Sequence, residues 1–153
     1  MDAEISLLDM FTRLGAAAGL ALILGLEREL RGKPAGLRSH MLVALGAAAF
    51  LIVGLEILYA TAEGDPSARI DPTRIVEGVI GGIGFLGAGS IIRSGTSVHG
   101  ITTGASIWLA GAIGIAAGVS NYPLAAMVTG LALVIMSVLG AIERALPRHR
   151  RSD

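Results

Sequence analysis

The sequence has no cysteine, and it has few aromatic and few charged residues. The absence of cysteine excludes disulfide bonds, zinc–thiolate sites, iron–sulfur clusters and thiol catalysis. Charged residues make up 16% of the chain and aromatic residues 4%, whereas an ordinary soluble domain carries about 25% charged residues. The composition therefore excludes an ordinary soluble domain.

The 153 residues are 53% hydrophobic, and their mean hydropathy is +0.71. A helix that crosses a bilayer needs about 17–25 mostly apolar residues, and five segments of that kind are present. They cover residues 5–26, 41–60, 75–92, 103–119 and 123–141. We predict an all-α, polytopic transmembrane helical bundle over residues 1–143, followed by a basic cytoplasmic tail over residues 144–153.

Lysine and arginine are unevenly distributed between the two sides of the predicted membrane. Because cytoplasmic loops retain positive charge, we predict that the N-terminus lies outside and the C-terminus inside. Binding of anionic lipid headgroups is an alternative interpretation of the same basic clusters. The acidic flank of the first segment lacks the basic region of a signal peptide, so we expect that segment to be retained. The inner side has Arg28, Arg31, Lys33, Arg38, Arg93, Arg144, Arg148, Arg150 and Arg151, and the outer side has Arg69 and Arg74.

The third predicted helix is rich in glycine. Gly82, Gly84 and Gly87 match the dinucleotide-binding pattern G-x-G-x-x-G, but that pattern requires a preceding strand and a later acidic residue, and neither is present here. Small residues at helical spacing instead predict a groove from Glu77 along Gly81 and Gly84 that admits a neighbouring helix. Helix four has glycines at a similar spacing, so we expect the two helices to pack tightly.

Three carboxylates on different helices, those of Asp9, Glu56 and Glu77, lie near the predicted outer face. Because Mg²⁺ prefers oxygen ligands and is often held by one or two carboxylates, they are candidate metal ligands. The alternative is that Asp9 pairs with Arg13, one turn later, and that the other two reach interfacial water. The three histidines are scattered, and no serine has a histidine and an acid nearby in sequence, so we predict no enzyme activity. In the connection before helix four, Thr102 or Thr103 is the expected N-cap.

Three ordered motifs resemble the membrane domain of the MgtC/SapB family over about residues 10–140. They are E-R after helix one, A-G-L-R-x-H before helix two, and the glycine-rich stretch followed by G-I-T-T-x-A-S-x-W. The residues of these motifs are candidates for partner or structural sites. They include Glu27, Arg28, Arg38, His40, Gly82, Gly84, Gly87, Gly89, Thr102, Thr103 and Trp108.

The resemblance implies a multi-pass protein of the bacterial inner membrane that is associated with growth under magnesium limitation, with acid tolerance and with virulence. Family members of this kind resemble non-catalytic regulators of other membrane machinery, among them P-type magnesium ATPases and the ATP synthase. We therefore expect the lipid bilayer, a homo-oligomer and such a membrane protein as partners, without nucleic acid or a cofactor. Many members carry a soluble C-terminal domain, and we expect none after helix five here. The alternatives are a permease or sensor for Mg²⁺ or another cation, and a lipid-organising protein.

Overall fold

The computed structural model describes residues 5–64 and 71–145, and within them the chain is a bundle of helices with one small hairpin. The bounds of the elements follow the chain in order. They are α1 (Leu7–Leu30), α2 (Leu37–Gly64), α3 (Thr73–Gly89), β1 (Ile92–Ser94), β2 (Ser97–His99), α4 (Ile101–Gly118), α5 (Tyr122–Val134), a π-helical turn (Ile135–Leu139) and α6 (Gly140–Ala145).

The predicted helical bundle is confirmed. Among the described residues, four helical segments are long and apolar enough to cross a membrane: Leu7–Leu30, Leu37–Gly64, Ile101–Gly118 and Tyr122–Ile142. The remaining predicted segment, the third along the chain, is α3, which has 17 residues and so rises about 25 Å, near the lower limit for a span. The orientation in the membrane stays a prediction. Arg69 and residues 146–153 of the predicted tail lie outside the described residues.

Helix α4 forms the centre of the bundle. In its apolar window 61% of the residues are buried, compared with 17–33% in the other three candidate spans. The core around it is built from small side chains, since one buried cluster consists only of alanines from α1, α2 and α4. Such side chains allow helix backbones to approach closely, as is typical of helix contacts in membranes.

Glycines in α4 make the closest of these contacts. A methyl group added at Gly114 would lie 2.3 Å from the carbonyl oxygen of Ala44 in α2, and one at Gly104 would lie 2.7 Å from the carbonyl oxygen of Gly87 in α3. Neither position can hold a larger residue without a shift of backbone. The predicted tight packing of α3 on α4 is therefore confirmed at Gly87.

The groove predicted along Gly81 and Gly84 does not face α4, and that part of the prediction is wrong. Nothing lies within 4 Å of a methyl group added at either glycine. The face of α3 that packs inward carries Val79, Ile83 and Gly87. Ile83 fills the notch at Gly111 of α4, where an added methyl group would lie 2.3 Å from its Cδ1. A branched side chain that enters a glycine notch makes more van der Waals contacts than two glycine faces make with each other. This difference decides which face of α3 turns toward α4.

The connection between α3 and α4 is a β-hairpin, which was not predicted from the sequence. Arg93 pairs with Val98 and Ser94 with Ser97, and all six strand residues are exposed. The prediction that Thr102 or Thr103 is the N-cap of α4 is wrong. That position is held by Gly100, whose φ is +88°. The left-handed conformation lets the chain turn directly from β2 into the helix.

Asp71 precedes α3 on the predicted outer side. Its carboxylate accepts hydrogen bonds from the hydroxyl of Thr73 at 2.6 Å and from the backbone N–H of Thr73 at 2.9 Å. These bonds favour the charged form and lower the pKa of Asp71 below its ordinary value. The first turn of α3 is thereby tied to the end of the outer connection.

Candidate functional site

A polar cavity of about 1120 Å³ lies at the predicted cytoplasmic end of the bundle. The end of α1, the α1–α2 connection, the hairpin, the start of α4 and the π-helical turn all contribute to its wall. Charged, polar and apolar residues line it: Glu27, Arg28, Arg31, Lys33, Pro34, Val98, His99, Gly100, Ile101, Thr102, Thr103, Met136 and Gly140.

Arg28 is the most buried charged residue on this wall, with 3% of its surface exposed. Its guanidinium donates to the carbonyl oxygen of Pro34 at 2.8 Å and to the hydroxyl of Thr103. Arg28 thus joins α1 to the connection and to α4. Both acceptors are neutral, and its Nε has no acceptor among the described residues.

The only carboxylate among the described lining side chains is already paired. Glu27 accepts from Nε of Arg31 at 2.6 Å, and 9% of the Glu27 side chain is exposed. Arg31 also donates to the carbonyl oxygen of Ser137 at 3.4 Å. Ser137 lies in the π-helical turn, where the ordinary helical hydrogen bonds are interrupted, as is frequent at functional sites. Glu27 is therefore occupied by Arg31.

The start of α4 leaves hydrogen-bond donors toward the cavity. No side chain caps the helix at Gly100, and the first N–H groups of a helix have no acceptor within it. The partial positive charge of a helix N-terminus adds to the charge of the nearby arginines. The electrostatics of the cavity therefore favour negative charge.

His40 and Arg38 lie in the first turn of α2 and do not line this cavity. His40 is completely buried, and its Nδ1 lies 2.9 Å from the carbonyl oxygen of Gly36. Since a carbonyl only accepts, Nδ1 carries the proton in this bond. The side chain of Arg38 is exposed. Glu29 accepts from the N–H of Leu37 at 3.2 Å and so caps the start of α2.

The predicted outer carboxylates lie apart from this cavity. Asp9 accepts from Arg13 at 2.5 Å, as the alternative interpretation expected, and Arg13 also donates to the carbonyl oxygen of Gly118 at 2.8 Å. Glu56 is half-buried and Glu77 is exposed. Among the side chains that the structure describes, no three of His, Asp or Glu come together at a site that could hold a metal ion. A site with one or two of these carboxylates stays a prediction.

The other motif residues contribute to helix faces. Gly87 contacts α4, whereas Gly82, Gly84 and Gly89 face open space. Trp108 is 47% exposed and lies in a shallow groove between α3 and α4. These residues do not join the polar cavity.

The profile of the MgtC family matches residues 14–145 of this chain. The chain belongs to the MgtC family. Its MgtC-family motifs bring Glu27, Arg28, Thr102 and Thr103 together at the polar cavity. Together with the apolar helices, this membership makes the chain a multi-pass membrane protein.

Three bacterial proteins are similar to this chain in sequence. YhiD of Escherichia coli K12, whose name provisionally assigns it magnesium transport, is 37% identical over 130 residues, which are 85% of this chain and 60% of YhiD. Protein MgtC of Brucella abortus strain 2308 is 35% identical over 133 residues, 87% of this chain and 52% of that protein. Protein SapB of Bacillus subtilis 168 is 36% identical over 115 residues, 74% of this chain and 49% of SapB. The chain therefore spans about half to 60% of these MgtC-family relatives. No solved structure matches it.

Several residues of the cavity were not among the predicted sites of this MgtC-family chain. From the sequence, Arg31 and Lys33 are topology signals only, and Gly100 is a turn residue that also begins the motif G-I-T-T-x-A-S-x-W. The spacing of Glu27 and Arg31, one helical turn apart, is a signal that could have identified their ion pair. The carbonyl oxygen of Ser137 accepts from Arg31 within the π-helical turn, and no local sequence pattern predicts that turn.

We expect Arg28→Met to fold and insert, with a change in the free energy of unfolding within about 2 kcal/mol. The loss of the donor leaves two neutral acceptors unsatisfied, which costs about 1–3 kcal/mol of stability each. The substitution also removes a buried charge that has no salt bridge, and the desolvation cost of several kcal/mol disappears with it. Chemical unfolding in detergent measures the balance.

Arg31→Met is the matched control for this prediction. It leaves Glu27 without its cation, so we expect it to destabilise the fold by about 2 kcal/mol or more, with some of the loss screened by solvent. Failure of the Arg28→Met chain to insert would show that Arg28 is required for the stability of the fold.

Proposed function

We propose that this chain is a non-catalytic protein of the bacterial inner membrane that regulates other membrane proteins in magnesium homeostasis. Membership of the MgtC family and the magnesium-related name of YhiD support the connection with magnesium. By family resemblance, a P-type magnesium ATPase or the membrane subunit of the ATP synthase is the partner to test first.

The observation that carries the regulatory role is the unoccupied glycine face of α3. Among the described residues, nothing lies within 4 Å of a methyl group added at Gly78, Gly81, Gly82 or Gly84, so this part of the chain does not use the face for close packing. Glycine in a helix weakens it by about 1 kcal/mol relative to alanine, and a face that carries this cost without an internal contact is suited to a helix of another protein. We infer that a transmembrane helix of the regulated protein lies against it.

A cation permease is supported less well by the described residues. The buried core between the two ends of the bundle consists mainly of Ala, Leu, Ile and Val side chains. The buried charge of Arg28 and the paired Asp9 and Arg13 lie toward opposite ends. Conduction of a cation requires polar groups along the path, and the described part of one chain offers no such series.

We expect Gly82→Leu combined with Gly84→Leu to keep the folded bundle and to lose the partner. A Cβ atom added at either position has no described atom within 4 Å, and Gly82 borders an open groove between α2 and α3, so thermal unfolding of the purified chain should change little. Co-purification of a magnesium ATPase or ATP synthase subunit from low-magnesium cells should fall about tenfold or more, as should rescue of a deletion strain in low magnesium.

Gly130→Leu on α5 is the matched control, because Gly130 also faces open space. Equal loss in this variant would indicate a general effect of bulk at the lipid surface. Magnesium flux into liposomes that hold the purified chain, abolished by Glu77→Gln, would contradict the regulatory role and support the permease.

A further inference from the structure

The polar cavity at the cytoplasmic end carries more positive charge than its own side chains neutralise. Arg28, Arg31 and Lys33 line it, and Glu27 is the sole carboxylate among the described lining side chains. Because Glu27 pairs with Arg31, neither Arg28 nor Lys33 forms a salt bridge with a described carboxylate. The neighbouring Glu27 also attracts the charge of Arg28, but this attraction is smaller than the cost of its burial.

Burial makes the charge of Arg28 the decisive observation. A guanidinium with only 3% of its residue surface exposed normally has a carboxylate partner, since desolvation of an unpaired ion costs several kcal/mol. Arg28 has only the neutral oxygens of Pro34 and Thr103, and its Nε has no acceptor among the described residues. Neutral groups thus hold the guanidinium of Arg28 at the wall of the cavity.

The start of α4 supplies the second half of the site. Gly100 brings the uncapped N-terminus of this 18-residue helix to the wall of the cavity. Thr102 and Thr103 lie on the same wall. A helix N-terminus beside arginine, lysine and hydroxyl donors is the combination that binds phosphate in proteins.

We propose that this cavity binds a phosphate group, which belongs either to the headgroup of an anionic phospholipid or to a small soluble phosphate compound. A phosphate has several acceptor oxygens, and so it can bind Arg28, Lys33 and the N–H groups of α4 together. A divalent cation does not fit, because the one carboxylate among the described lining residues is already occupied by Arg31. The volume of about 1120 Å³ accommodates a phospholipid headgroup.

This inference is independent of the proposed regulation through α3, which lies on another surface of the chain. Loss of phosphate binding would leave docking at α3 intact, and loss of docking would leave phosphate binding intact. The two proposals therefore fail in different experiments.

The test uses the purified full chain in a neutral detergent, titrated with inorganic phosphate at constant ionic strength. A ligand that binds the folded state raises the unfolding temperature, so we expect phosphate to raise it and chloride not to. In parallel, the chain is placed in nanodiscs of phosphatidylcholine with and without phosphatidylglycerol. Stabilisation by inorganic phosphate identifies a soluble phosphate compound, and stabilisation by phosphatidylglycerol alone identifies the lipid headgroup.

Two variants at exposed positions avoid any dependence on the folding of Arg28 variants. Lys33→Gln should weaken binding about tenfold, and Thr102→Val, which leaves the charge unchanged, about fivefold. Arg38→Gln is the matched control, because it removes the same charge from a residue that does not line the cavity. It should change binding less than twofold.

Two results would overturn the proposal. One is a wild-type chain that neither inorganic phosphate nor phosphatidylglycerol stabilises. The other is equal weakening by Lys33→Gln and Arg38→Gln with no effect of Thr102→Val, which would indicate general charge attraction at the membrane surface.

Discussion

Gly100→Ala should destabilise the fold by roughly 2–5 kcal/mol, the largest loss that we expect from a single methyl group. Gly100 has a φ of +88°, which costs an L-residue about 1–2 kcal/mol. Its added methyl group would also lie 1.9 Å from the carbonyl oxygen of Ser90 and 3.3 Å from Cα of Ile91. These are backbone atoms at the end of α3, so the end of α3 and the start of α4 must move apart, and overpacking of this kind costs about 1–3 kcal/mol more.

Gly95→Ala separates the two causes. Gly95 has a φ of +61°, but nothing lies within 4 Å of its added methyl group. We therefore expect only the conformational cost of about 1–2 kcal/mol. Chemical unfolding of both variants in the same detergent measures the difference. Equal losses at the two positions would mean that Ser90 does not constrain Gly100.

Gly114→Ala should destabilise the bundle by about 1–3 kcal/mol or more, in contrast to the usual effect of the same change in a helix. In an open helix, alanine is favoured over glycine by about 0.5–1 kcal/mol. At Gly114 the methyl group would meet the carbonyl oxygen of Ala44 at 2.3 Å and Cβ of Ala47 at 2.8 Å. Helices α2 and α4 would have to separate along their whole contact.

Gly130→Ala is the control for this change, because its methyl group enters open space. We expect no loss of thermal stability there and a small gain where helix propensity counts. The opposite sign at the two glycines is the result to look for in thermal unfolding. A stabilised Gly114→Ala chain would contradict the close approach of α2 and α4.

The helices could be predicted from sequence because apolar segments of spanning length leave few alternatives. The structure lengthens several of them: α1 continues to Leu30 and α2 begins at Leu37, because charged residues at a helix end do not stop it. Pairing of α3 with α4 could also be predicted from their glycines. The inward face of α3 could not, because the spacing of its glycines permits two faces and the fit of Ile83 at Gly111 decides between them.

The cavity could be predicted in part. Glu27, Arg28 and Thr103 follow from motifs, and the structure places them on one wall. Lys33 could not be recognised as a residue of the cavity. Gly100 begins a motif, but its role as the N-cap of α4 could not be predicted, since it depends on the hairpin before α4. The three outer carboxylates have the right chemistry for a cation. However, side chains on different helices can lie near the same membrane face without lying near one another.

The alanine cluster between α1, α2 and α4 has a consequence for motion. Ala17, Ala21, Ala44, Ala48 and Ala117 are completely buried and have no side-chain rotamers, so ordering them costs no side-chain conformational entropy. For the same reason, they have no alternative rotamers with which to accommodate a sliding neighbour. These three helices should move as one rigid body, and any rearrangement that transmits a signal would then have to occur in α3 or at the π-helical turn.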